Sequence, residues 1–223
     1  LPASLSAFDA SVFSSCAALR DIIVDPANNN FVTYEGALYT KDYSEILFYP
    51  KSLDGDMSKL HPNLQKIGNA VFKGNLNIKS INLSNKITYI GNEAFRSCTG
   101  LTTVIIPDSV ITLGSNAFAN CYNLKSVTLN NRITSIAYGT FYRCSSLTAI
   151  TIGAGATEIG VGAFEDCASL TSIVIPKAVR FIYSDAFKGC SGLREITISR
   201  RFEDELEQIF TDVDLSEVKI NWL

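Results

Sequence analysis

Apolar positions return along most of this chain at one fixed step. Ile90, Leu113, Ile136, Ile159 and Ile182 lie 23 residues apart. Each is followed five residues later by Phe95, Phe118, Phe141, Phe164 or Phe187, and three after that by Cys98, Cys121, Cys144, Cys167 or Cys190. Three further on come Leu101, Leu124, Leu147, Leu170 or Leu193. Two alternating apolar residues close each unit: Val104/Ile106, Val127/Leu129, Ile150/Ile152, Ile173/Ile175 and Ile196/Ile198. Written once, the unit is I-G-x-x-A-F-x-x-C-x-x-L-x-x-I-x-I. A period of this length marks a repeat architecture, in which each unit buries its apolar face only against its neighbours.

The closing L-x-x-I-x-I segment predicts a short strand whose last two apolar residues share one face. Stacked copies predict a parallel sheet with strands ~4.8 Å apart, and a Phe column filling the opposite side of the coil. The A-F-x-x-C stretch has room for one 3₁₀ or α turn only. Gly68, Gly91, Gly114 and Gly160 suggest a tight bend after the apolar residue. Ala137 and Tyr183 hold the same place in two units, so a positive φ is not required there.

The frame runs on in both directions. Phe72 lies one period before Phe95, with Ile67, Ile78, Ile81 and Leu83 in register and Asn75 in the cysteine's place. Phe13, Cys16, Leu19, Ile22 and Val24 form another unit. Residues 25–63 between them predict an irregular repeat, in which Ala37–Thr40 and 45–49 read as a hairpin turning at 41–44. Its aromatics, Phe31, Tyr34, Tyr39, Tyr43, Phe48 and Tyr49, either anchor a partner or cover the coil's edge. Asp54-Gly55-Asp56 lacks the further oxygen ligands of a calcium loop and reads as a turn. At the other end, Phe210 keeps the period, whereas Leu215, Val218 and Ile220 arrive one residue early. Residues 199–223 therefore read as a degenerate cap, including a short helix that turns Phe202, Leu206, Ile209 and Phe210 to one side.

The unit in residues 90–101, followed by L-x-x-I-x-I, resembles the BspA-type (treponemal-type) leucine-rich repeat, over about residues 5–24 and 64–198. The 31–50 hairpin resembles an insertion common in that family. The resemblance implies a right-handed, β-rich leucine-rich repeat solenoid with short 3₁₀ or helical turns. It predicts one domain over residues 1–223, with about eight turns and a parallel sheet on one face, about 40 Å long at the strand spacing. It also implies a secreted or cell-surface module with no enzymatic activity and no catalytic residues.

Composition narrows this reading. The 223 residues are 47% hydrophobic and 18% charged, with net charge −3, enough apolar content for a real core. The mild acidity and the lack of any basic run exclude nucleic acid as the main partner. No apolar stretch reaches the ~18 residues of a membrane helix. His61 is the single histidine, which excludes a His-rich metal site. No phosphate-binding loop or nucleophile elbow occurs, and no cofactor or metal is expected. The six cysteines stack in parallel instead of converging to the ~3.8 Å that a disulfide needs between Cβ atoms, so they read as free buried thiols.

The outward strand positions are the expected ligand surface. One row runs Ile23, Asn82, Ile105, Thr128, Thr151, Val174, Thr197 and Lys219; the row before it runs Asp21, Ser80, Thr103, Ser126, Ala149, Ser172, Glu195 and Glu217. Asn82, Thr103, Ile105, Ser126, Thr128, Thr151, Ser172, Val174, Glu195 and Thr197 are the candidate contacts. Against this stands the plain reading that Thr and Val simply suit strands. The expected function is non-catalytic binding of an extracellular or host protein, or a glycan, by a monomer. The alternative is a spacer or assembly module in a larger surface protein. The mid-repeat start at Leu1 suits that alternative and reads as an excised piece. Asn82-Leu83-Ser84 is a glycosylation sequon, of consequence only in a eukaryotic source.

Overall fold

The computed structural model describes residues 1–13, 16 and 18–223. It is a β-solenoid of about eight turns, and its axis is marked by aromatic rings. Phe72, Phe95, Phe118, Phe141, Phe164 and Phe187 are buried and lie face to face, with ring centroids 5.0–5.7 Å apart and planes within 10° of parallel. Tyr49 closes the column at one end, 5.0 Å from Phe72, and Phe210 at the other, 5.0 Å from Phe187. Burying one Phe side chain is worth ~2–3 kcal/mol, and each ring pair adds ~0.5–1.5 kcal/mol. The column is thus one source of cohesion along the axis, beside the buried aliphatic columns.

Three backbone ladders close the coil around it. Ser80–Asn82, Thr103–Ile105, Ser126–Thr128 and Ala149–Thr151 pair in parallel, one repeat apart. Ser172–Val174, Glu195–Ile198 and Lys219–Trp222 extend the same face. In each three-residue strand the central side chain points inward and its neighbours point out. A second, shorter ladder joins the expected one: Lys66–Ile67, Tyr89–Ile90 and Thr112–Leu113, then Ser135–Ile136, Glu158–Ile159 and Phe181–Ile182. Two residues per turn carry no alternation to read, which is why the sequence pattern shows only one strand. On the third side the Phe amides bond across turns, Phe95 to the Ala117 carbonyl at 2.8 Å and Phe141 to that of Ala163 at 2.8 Å.

The glycines act differently from the expected tight bend. The backbone is left-handed two residues after the Gly68 register and again just before the register of Cys98 to Cys190. Ala70, Glu93, Asn116, Gly139, Gly162 and Asp185 fill the first place; Gly74, Ser97, Asn120, Arg143, Asp166, Gly189 and Asp212 fill the second. Gly91 and Gly114 instead allow close approach between turns, since a Cβ on Gly114 would lie 2.5 Å from the Gly91 carbonyl carbon.

The cysteines form the ladder that their spacing predicts. Each of Cys98, Cys121, Cys144, Cys167 and Cys190 is buried and reduced, and donates its S–H to the carbonyl of the Phe 26 residues earlier at 3.1–3.3 Å. Asn75 is buried in the same column and accepts from the Asn77 and Ile78 amides. Cys16 departs from it: this thiol is exposed.

The N-terminal unit forms its own small core. Ile22, Phe31, Leu38 and Phe48 gather Phe8, Phe13 and Leu19. Among the described residues, Asp21 and Ile23 join no strand, and Ile23 is 83% exposed. The expected outward rows therefore begin at Ser80 and Asn82, because the insertion stands between. That insertion is a three-stranded antiparallel sheet, Phe31–Tyr34, Ala37–Thr40 and Glu45–Phe48, whose last strand pairs in parallel with Lys66–Ile67. Its aromatics cover the coil's edge: Phe31, Tyr39, Phe48 and Tyr49 are buried, while Tyr34 and Tyr43 are half-buried. Asp54 and Asp56 spend their carboxylates on local amides and on Lys59, as a turn does.

At the C-terminus a 3₁₀ helix, Arg200–Glu205, runs into one α turn, Leu206–Ile209, and buries Phe202, Ile209 and Phe210. This excursion moves the last strand late, not early. Ile220 pairs with Ile196 and Trp222 with Ile198, so Lys219 falls in the Glu195 row and Asn221 in the Thr197 row.

Candidate binding surface

The outward side of the three-residue strands is built by alternation. With Ile81, Val104 and Val127 turned into the core, Asn82, Ile105 and Thr128 must face solvent. All ten sequence-predicted contacts lie on this face. Asn82, Thr103, Ile105, Thr128, Thr151, Ser172 and Val174 are exposed; Ser126, Glu195 and Thr197 are half-exposed. Ile105 and Val174, 67% and 57% exposed, are large apolar side chains held in water by the strand register.

The face divides into two parts. In the first, Asn82, Thr103, Ile105, Thr128 and Thr151 line an open groove of about 730 Å³. Its far wall is the turn that follows each strand, with Asn85, Asp108 and Asn131 one period apart. Sequence reasoning passed over these three. Their signal was a polar residue repeating three positions after each outward strand position. Asn130 fixes this wall. Its amide donates to the Pro107 and Val110 carbonyls at 2.5 and 2.9 Å, and its oxygen accepts from the Arg132 and Ile133 amides.

The groove continues past Asn82 and Leu83 into a second hollow of about 470 Å³ beside Met57, Leu60, His61 and Lys86. His61 stacks on Tyr43, with centroids 4.0 Å apart, and its Nδ1 accepts from the Asn63 amide.

The second part of the face is more occupied with itself. Ser172 and Val174 stand clear of the groove. Glu195 accepts from Asn221 at 2.8 Å and from Lys219 at 3.0 Å, and Asn221 also reaches Thr197 at 3.4 Å. The Asn221 hydrogen bond, then Lys219, holds the Glu195 carboxyl below the ordinary carboxylate range. Glu195 and Thr197 are thus less free than the groove residues. Asp108 is the one carboxylate lining the groove, and among the described residues no cluster of His, Cys, Asp and Glu fits a metal ion. No helix among the described residues is long and apolar enough to cross a membrane.

Known proteins agree with this architecture. A leucine-rich repeat protein from Eubacterium ventriosum superposes with a TM-score of 0.77 at 25% identity, covering 86% of this chain and 52% of its own. One from Bacteroides ovatus gives 0.56 at 25% identity, over 78% of this chain and 47% of its own. A leucine rich cell surface protein from Faecalibacterium prausnitzii shares the fold, with a TM-score of 0.52 at 22% identity over 96% of this chain and 62% of its own. The chain thus spans about half the length of the first two relatives. No curated protein matches it. The model of the BspA type leucine rich repeat region matches six copies, over residues 65–194 and 157–222, and the chain belongs to that family.

Proposed function

We propose that this chain is a non-catalytic recognition module, secreted or held at a cell surface, that takes an extracellular protein partner across its three-residue strands. One observation carries the reading: a continuous groove, nearly free of charge, runs beside exposed Ile105 on a face whose register is fixed by a rigid core. Exposed apolar side chains ringed by hydroxyls and amides suit a protein surface, where desolvation is cheap and hydrogen bonds set orientation. The family is a protein-interaction repeat, typically without catalysis, and the relative named a cell surface protein supports the location.

The test is binding to immobilised extracellular-matrix proteins by the whole chain and by Ile105→Arg and Thr128→Arg. Both positions point to solvent, so thermal melting stays put while affinity falls at least ~10-fold. Wild-type affinity in both variants overturns the assignment of this face.

A further inference from the structure

A second recessed surface lies away from the strands, on the turns that carry the Phe column. Asn116, Tyr138, Tyr142 and Glu165 converge there with Arg96 on a hollow of about 310 Å³ floored by Gly139 and Gly162. Both glycines occupy the left-handed register, at φ 57° and 60°, where other turns carry Glu93 or Asp185. The space where a side chain would begin is taken at both places by a side chain that lines the hollow, Asn116 or Glu165. A Cβ on Gly139 would lie 2.4 Å from the Asn116 Oδ1, and one on Gly162 would lie 3.0 Å from the Glu165 Oε2.

The backbone beneath is stapled across turns. Asn116 donates to the Tyr138 carbonyl at 2.8 Å, Gly139 to that of Val161 at 3.0 Å, and Gly162 to that of Ser184 at 3.1 Å. The side chains above are not. Asn69 and Asn92, on the same side of the coil, each cap an amide of the next turn. In contrast, the side chains of Asn116, Tyr138, Tyr142 and Glu165 make no hydrogen bond or ion pair among the described residues. Tyr138 is 58% exposed, and Asn116, Tyr142 and Glu165 are half-buried.

Charge narrows the occupant. Arg96 is engaged by Glu93 at 2.8 Å, and the Arg143 guanidinium lies 5.0 Å from the Tyr142 ring centre, so cations already sit at two edges. A positive ligand meets Arg96 and an anionic one meets Glu165. A neutral ligand with clustered hydroxyls meets neither penalty. Its C–H edges suit contact with tyrosine rings, and its hydroxyls suit a carboxylate as donors and an amide as donors or acceptors. The volume suits one ring with its substituents.

We propose that Asn116, Tyr138, Tyr142 and Glu165 form a site for one neutral pyranose unit of a glycan, separate from the strand face. Titration of ¹⁵N-labelled protein with methyl β-glucoside, methyl β-galactoside and N-acetylglucosamine, each to ~50 mM, tests it by NMR. At least one sugar shifts the Gly139 and Gly162 amides with millimolar affinity. Glu165→Gln and Tyr138→Ala weaken that binding about tenfold or more, as loss of a hydrogen bond to a charged group or of a stacking ring does. Gly162→Asn abolishes it while the melting temperature holds, because Asn116 adopts the same left-handed conformation one period before Gly139. Thr128→Arg, on the strand face, leaves it unchanged. The proposal is overturned if no sugar moves these glycines, if the shifts fall on the strand face, or if tetramethylammonium moves the glycines and the sugars do not.

Discussion

Raising the pH should unfold this protein through its cysteine column. Burial pushes the Cys98, Cys144 and Cys190 thiols up from 9.0 to about 12, and raises Cys121 and Cys167 well above 9.0. Unfolding releases all five to the ordinary value. A group whose folded pKa is raised stabilises the fold below its unfolded pKa and loses that contribution as pH rises toward the folded one. The window here runs from about pH 9 to about pH 12. Between pH 8 and pH 10 each thiol that stays neutral when folded costs ~1.4 kcal/mol of stability, and five cost about 7 kcal/mol. That is most of the stability of an ordinary domain. Tyr39, also raised to about 12 chiefly by burial, adds only ~0.4 kcal/mol at pH 10, because its unfolded pKa is itself 10.0. The assay is urea unfolding with a phosphine reductant present, followed by far-UV circular dichroism at pH 8, 9 and 10. The double variant Cys98→Ala/Cys144→Ala should be less stable at pH 8, having lost two buried S–H donors, yet lose only about 4 kcal/mol up to pH 10. A wild-type loss below ~1.4 kcal/mol, the share of a single thiol, would refute the reasoning.

Phe141→Ala, which removes a central ring stacked on both sides, should cost ~3–5 kcal/mol and lower the melting temperature by roughly 6–20 °C, read by calorimetry. Asn130→Ala should cost ~2–4 kcal/mol in urea unfolding, because it leaves the Ile133 amide and the Val110 carbonyl unpaired inside the turn. Ellman's reagent at neutral pH should count one thiol in the native protein, that of exposed Cys16, and all six after denaturation without reductant.

The inside of the coil was legible because every turn solves the same packing problem with the same residue. Phe, Cys and the alternating apolar pair recur where stacking demands one shape, and the structure places them in columns. The left-handed positions were not legible. Ala70, Glu93, Asn116, Gly139, Gly162 and Asp185 share one backbone conformation but no common side-chain chemistry, so no single letter marks it in every turn. The last strand misled for a related reason. Val218 and Ile220 alternate as a strand should, but the helical excursion from Arg200 to Ile209 shifts the register, and only the pairing of Ile220 with Ile196 shows by how much. Of the strand face, the outward identity of Asn82, Ile105 and Thr128 followed from period two. The groove wall formed by Asn85, Asp108 and Asn131 depends on how the following turn folds back, which alternation does not encode.

The two proposed surfaces also differ in how they relate to the repeat. On the strand face, every turn offers an outward position by construction, and any residue that tolerates a strand fits it, so chemistry there varies without touching the core. The turn face is crowded. Its left-handed backbone favours Asn, Asp or Gly, and in two turns the residue just before it, Asn69 or Asn92, ties one turn to the next. The hollow lined by Asn116, Tyr138, Tyr142 and Glu165, whose side chains make no hydrogen bond or ion pair among the described residues, lies where Gly139 and Gly162 come in successive turns and Tyr138 and Tyr142 flank the first of them. Departures from a locally consistent pattern are where function is expected to break the structural rule. The periodic positions account for why the coil forms. The glycine pair keeps the left-handed backbone of the other turns, but the side chains around it add no hydrogen bond to the stack, and the proposed second site rests on that contrast.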